Sequence, residues 1–151
     1  KTLMFTNDRN ALRQAYLDAW RKARAKERLE PVEQQIVDVV RQHPEYQPLL
    51  ERGDSALGRD WLPEGGETNP FLHMGLHIAL QEQVATDRPT GIRPLYRAMI
   101  DACLGDVHAA EHQILDCLAE AIWKVQRDGG EFQPKPYLKC IKRRGAGRRR
   151  A

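Results

Sequence analysis

Cysteine is scarce in this chain, with three among 151 residues, at positions 103, 117 and 140, and no CxxC pair. An odd number without short spacing argues against a disulfide framework. Cys103 and Cys117 read as small apolar residues of helices in a reducing compartment. No apolar run approaches the ~20 residues that a bilayer span needs, so no membrane partner is expected. The N-terminal KTLMFTNDRN lacks the apolar core of a secretory signal. Together these absences predict a cytoplasmic protein. No run of alternating β-branched residues marks a strand, and there is no internal repeat. Gly65–Gly66 is a turn and not part of a phosphate-cradling loop, and no serine or cysteine stands in a nucleophile motif.

Acidic residues are missing altogether after Glu131, where eight lysines and arginines follow. Residues 1–131 therefore carry 16 basic against 21 acidic residues, a formal charge of −5, although the whole chain sums to +3. The mildly acidic body and the basic end read as two objects. At 41% hydrophobic and 30% charged residues, the body is long and apolar enough for one core.

Helical periodicity runs through the body. Leu12, Tyr16 and Trp20 recur every four residues on a first helix from about Asp8, its cap, to Arg28, with Arg13, Asp18, Arg21 and Lys22 on a solvated face. A second helix opens at Pro31, packs Val32, Ile36, Val39 and Val40, and ends before Pro44. EYQPLLERG makes a short helical turn, and the rest of residues 44–68 reads as loop. Asn69–Pro70 caps a third helix to about Ala85, a fourth covers Pro94–Leu104, and a fifth runs from the Asp106 cap to about Arg127, before Gly129–Gly130. The expectation is an all-α, single-domain bundle of about five helices over residues 1–130, followed by a flexible basic tail over 131–151.

Four of five histidines form two pairs spaced four apart: His73 and His77 in NPFLHMGLHIALQEQ, His108 and His112 in GDVHAAEH. Spacing of four places two ring nitrogens on one helix face. On the third helix Leu72, Leu76, Ala79 and Leu80 form the main stripe, with Phe71, Met74 and Ile78 opposite, so both faces ask to be buried. On the fifth, Val107, Ile114, Leu118, Ile122 and Val125 define the stripe, and Glu111 falls near its centre. A carboxylate there costs several kcal/mol unless paired, hydrogen-bonded or metal-bound. Facing helices would offer His73, His77, His108, Glu111 and His112 to a divalent metal, zinc or iron being the candidates. With an open position Glu111 could serve as general base to a bound water. The competing reading makes these helix-margin histidines hydrogen-bonded structural residues, with Glu111 answered by His73 or Arg97. HAAEH also fits the inverted zinc-peptidase pattern, but five residues on a helix match by chance too easily to carry it. His43, alone before a proline, reads as structural or exposed.

The succession AYLDAWRK, PVEQQIVDVVRQHPEY, GETNPFLHMGLHIALQEQ and HAAEHQILDCLAEAIW resembles a small family of bacterial proteins, the domain-of-unknown-function family numbered eighteen forty-one. The resemblance covers residues 4–128 and implies a compact cytosolic helical protein with no established activity, so it supplies no catalytic residue. It also implies a start near Met4, which makes Lys1–Leu3 a remnant, and it leaves the basic tail outside the pattern.

The function expected from these residues is a binding module with a buried His/Glu cluster for a divalent metal. A metal-dependent enzyme using activated water is the alternative. A rival site is the tail, where Lys139, Lys142, Arg143, Arg144, Arg148, Arg149 and Arg150 could contact RNA or DNA phosphates, with Tyr137 stacked on a base, or dock on an acidic protein. The second apolar face of the third helix is a candidate homodimer contact.

Overall fold

The computed structural model describes residues 9–61 and 68–150. Seven α-helices occupy these residues: α1 (Arg9–Arg24), α2 (Pro31–Arg41), α3 (Gln47–Glu51), α4 (Pro70–Thr86), α5 (Ile92–Ala102), α6 (Val107–Asp128) and α7 (Pro134–Arg150). No strand occurs among the described residues, and no helix there is long and apolar enough to cross a membrane. The expected caps at Asp8 and turn at Gly65–Gly66 lie outside the described residues. Backbone contacts divide the chain into two compact units, Lys1–Ile78 and Ala79–Ala151, with the division inside α4.

In the first unit, α1 turns the predicted stripe inward. Tyr16 is fully buried, Trp20 nearly so, and Ala19 lies between them against Ile36, Val37, Val39 and Val40 of α2. Pro31 sets the first turn of α2, where the Glu33 carboxylate accepts from the Glu30 N–H at 2.8 Å. Pro44 ends the helix by pushing the residue before it out of the helical region, and His43 takes φ −130° and ψ 70°. Asn69 caps α4 as predicted, its Oδ1 accepting from the N–H groups of Phe71 and Leu72 at 3.0 and 3.3 Å. Phe71, Met74 and Ile78 then enter the core, with the Phe71 and Tyr16 rings edge to face at 5.7 Å.

Two sequence expectations fail here. Leu72, placed on the main stripe, is 60% exposed, whereas Phe71, Met74 and Ile78 carry the buried face. Arg13 is only 4% exposed, not solvated. Its guanidinium donates to the carbonyls of Ala56, Leu57 and Arg59 at 3.2, 3.0 and 2.7 Å and stacks on Trp61 and Phe71. One nitrogen, Nη1, thus serves three loop carbonyls at once, which the periodicity of α1 alone cannot show.

In the second unit α5, α6 and α7 pack together around Ile92, Met99, Ala110, Ile114, Leu118, Tyr137 and Ile141. Asp106 caps α6, accepting from the Ala109 N–H at 3.0 Å, and Gly129 at φ 74° ends it. Asp87 accepts from the Gly91 and Arg93 N–H groups ahead of α5, and these bonds hold its carboxyl below the usual range. Val107, expected in the stripe, is 43% exposed.

The segment expected to be a flexible tail forms α7. Tyr137, Cys140 and Ile141, spaced three and four apart, make its buried stripe, and Cys140 is bonded to Cys117 of α6 with S–S 2.10 Å. The expectation of no disulfide, with Cys117 merely an apolar residue, is therefore corrected, and only Cys103 among the three is a free thiol. Without α7 the sequence reading had no helix to bring a partner to Cys117. Tyr137 Oη donates to Gln83 Oε1 at 2.7 Å, so this ring packs inside and is not a base-stacking platform.

Burial pushes the phenol of every tyrosine, Tyr16, Tyr46, Tyr96 and Tyr137, above its ordinary value, with Glu45 and Glu111 adding to the shift at Tyr46 and Tyr96. The folded state thus holds these protons more tightly than the unfolded chain, whose tyrosines titrate near ~10. Their contribution to stability is complete below that pH and is lost as pH rises beyond it. Alkaline titration should show tyrosinate absorbance rising together with loss of helical circular dichroism. Phenols that ionise near ~10 while the helices persist would contradict this burial.

Candidate functional site

Helix α4 carries His73 and His77 one turn apart, and their rings lie 4.9 Å apart. The proline-induced departure of His43 from α2 brings a third imidazole to the same place. Its ring centroid is 5.0 Å from that of His73 and 4.9 Å from that of His77. His43 and His77 are 1% and 0% exposed, and His73 is half-buried. The Tyr46 ring stacks on His43 at 5.2 Å, with planes inclined by 6°. His43 Nδ1 lies 2.8 Å from the Val39 carbonyl oxygen, an acceptor only, so Nδ1 carries a proton, and the neutral ring then has its lone pair on Nε2. That is the tautomer and the outer hydrogen bond of a metal-ligating histidine. A ring nitrogen of His43 and one of His77 lie within 4.8 Å of each other. Bonds of about 2.1 Å to a tetrahedral zinc ion place ligand nitrogens ~3.4 Å apart, so the two rings would close on a shared ion by up to about 1.4 Å.

The reading of His43 as merely structural or exposed therefore missed a member of the cluster. Its sequence signal was the HPEY run itself. A residue before proline must leave the helix, and here that departure turns the ring back over the last turn of α2.

In the second unit, the Asp106 cap starts α6 so that His108 and His112 fall on adjacent turns, with rings 4.3 Å apart and ring nitrogens within 4.8 Å. His108 is half-buried and His112 exposed, the margin position that the periodicity predicts. Glu111, 3% exposed, is buried as its place in the stripe requires. The donors that meet it are Tyr96 of α5, whose hydroxyl reaches Oε2 at 2.5 Å, and Gln81, whose amide reaches Oε1 at 3.4 Å. Arg97, named as a partner from sequence, points to solvent instead. Tyr96 was missed because an aromatic beside an apolar stripe reads as packing, although its hydroxyl suits a buried carboxylate well.

The basic residues proposed for phosphate contact are distributed unequally. Lys139, Lys142, Arg143 and Arg148 are exposed, whereas Arg144 is half-buried and pairs with Asp116 at 3.0 Å and Gln113 at 2.9 Å. Arg149 and Arg150 close α7.

Residues 8–143 match the model of a family described as Domain of unknown function (DUF1841). The match runs through Arg143 of α7, so the basic segment lies within the family pattern up to that residue and outside it from Arg144 on. No curated protein and no solved structure matches the chain.

Proposed function

The chain belongs to the DUF1841 family, whose description assigns no activity, so we propose from its side chains alone that it binds a divalent transition metal through its histidines. His43, His73 and His77 are the ligand set of the first unit, and His108 and His112, beside Glu111, that of the second. Zinc and iron are the ions that suit neutral imidazole in this setting. The observation that carries the reading is the trio of imidazoles, two buried and one half-buried, no two ring centroids more than 5.0 Å apart, with the His43 Nδ1 held by the Val39 carbonyl. Packing alone gives no reason to gather these rings, since His43 and His77 each bring two polar nitrogens into a buried space.

Binding is favoured over catalysis by the state of Glu111. The candidate general base already accepts from Tyr96 and Gln81, so it is engaged as an acceptor and is poorly placed to take a proton from bound water.

Protein purified without nickel affinity, analysed for metal and then titrated with zinc and iron(II), tests the proposal. A stoichiometric ion is expected, released on acidification as protons compete for the ligand nitrogens. His43→Gln and His77→Gln should each weaken binding by more than about tenfold, as should His108→Gln if the second set contributes equally. Less than about a tenth of an equivalent, with none regained on adding zinc or iron, overturns the proposal.

A further inference from the structure

We propose that the outer face of α7 is a docking surface for nucleic-acid phosphates, independent of the metal. Pro134 and Pro136 start the helix, and Tyr137, Cys140 and Ile141 hold its inner side. At about 100° per residue, Lys135, Lys139, Lys142 and Arg143 fall within an arc of about 100° on the other side. All four are exposed, and α7 contains no acidic residue. Like charges one turn apart repel. The helix nevertheless presents four of them together, while Arg144, on its inner side, is paired with Asp116.

The helix that carries this face is anchored to the rest of its unit. The Cys117–Cys140 bridge, the Tyr137–Gln83 hydrogen bond and the Arg144–Asp116 pair all fix the inner side of α7. A pre-organised row of cations loses less conformational freedom on binding than a loose tail would. From Lys135 to Arg143 the helix rises about 12 Å. Along one strand of duplex DNA phosphates recur every ~3.4 Å of axis, so the row faces about three to four of them. Folded acidic proteins seldom present charge so densely, which favours a nucleic-acid backbone as the occupant. With Tyr137 buried and no residue aimed at base edges, binding should be blind to sequence.

Fluorescence anisotropy of a short mixed-sequence DNA duplex, titrated with the full oxidised chain over about 50 to 200 mM KCl, tests the proposal. Four neutralised phosphates predict a slope of log affinity against log salt of about −3.6. The variant K139E/K142E/R143E should reduce the magnitude of that slope by about 2.7 and weaken binding by more than about tenfold. A control of equal charge change at other exposed arginines, R41E/R52E/R97E, should bind as the parent does. Circular dichroism confirms that both variants keep their helices. Undetectable duplex binding by the parent, or equal loss in the two variants, overturns the proposal. Binding to anionic phosphatidylserine vesicles in place of the duplex, lost in the α7 variant, would overturn it in favour of a membrane surface.

Discussion

Reduction of the Cys117–Cys140 bridge lowers the unfolding free energy of the second unit by about 3 kcal/mol. The bridge closes a loop across 23 residues, and loop-closure entropy of that length accounts for a loss of this size. Two features keep the effect from being erased by compensation. Cys117 and Cys140 are 1% and 8% exposed, so the bridge lies inside the α6–α7 packing. The apolar stripe of α7 is also short, since beyond Ile141 the chain turns to lysine, arginine and glycine. Urea unfolding with and without a phosphine reductant measures the difference, and Cys140→Ser should reproduce it and then be insensitive to reductant. A loss below about 1 kcal/mol would mean that Tyr137 and Ile141 hold α7 by packing alone. Two units imply that unfolding need not be a single transition, so the loss should be read from the one that melts α6 and α7.

Tyr96→Phe is expected to cost about 2 kcal/mol, a large penalty for removing one oxygen atom. The hydroxyl donates to a carboxylate that is 3% exposed, and a charge-assisted bond in such surroundings is stronger than a neutral one. Phenylalanine keeps the ring and its packing, so the loss reports the bond and the desolvated oxygen left behind. Glu111→Leu in the same background should recover part of the stability, because removing both partners avoids stranding either. Failure of this rescue would show that Glu111 matters through something other than its bond to Tyr96.

Much of this architecture was legible from the chain, because helix ends are written in local chemistry. Pro31, Asn69–Pro70, Asp106 and Gly129 each mark a boundary by satisfying or terminating a backbone hydrogen-bond pattern, and the helices begin and end beside them. Glu111 was legible for a related reason: its angular position among Ile114 and Leu118 fixed its burial before any neighbour was known. What periodicity could not supply was the identity of the neighbours. Leu72 and Val107 satisfy the spacing rule yet face solvent, because an angle on a helix does not say which direction another helix approaches from. Helix α7 was hidden by composition, since its Tyr137–Cys140–Ile141 stripe is embedded in basic residues and followed by Gly145 and Gly147. Missing it meant missing the partner of Cys117 and the burial of Tyr137 as well. His43 was hidden differently, because its membership in the cluster depends on a backbone excursion forced by the following proline.

Arg13 extends the same lesson from helices to the strap that joins them. Residues 56–59 make no regular ladder of their own, and three of their carbonyls find protons on a single side chain rooted in α1. The strap's course is thereby encoded some forty residues upstream of itself. These three bonds do not depend on the identity of the strap residues, since a carbonyl is common to all of them, although Ala56 and Leu57 also pack on the core. Lysine at position 13 would lose the stacking, for an ammonium has no broad face to lie against Trp61 and Phe71.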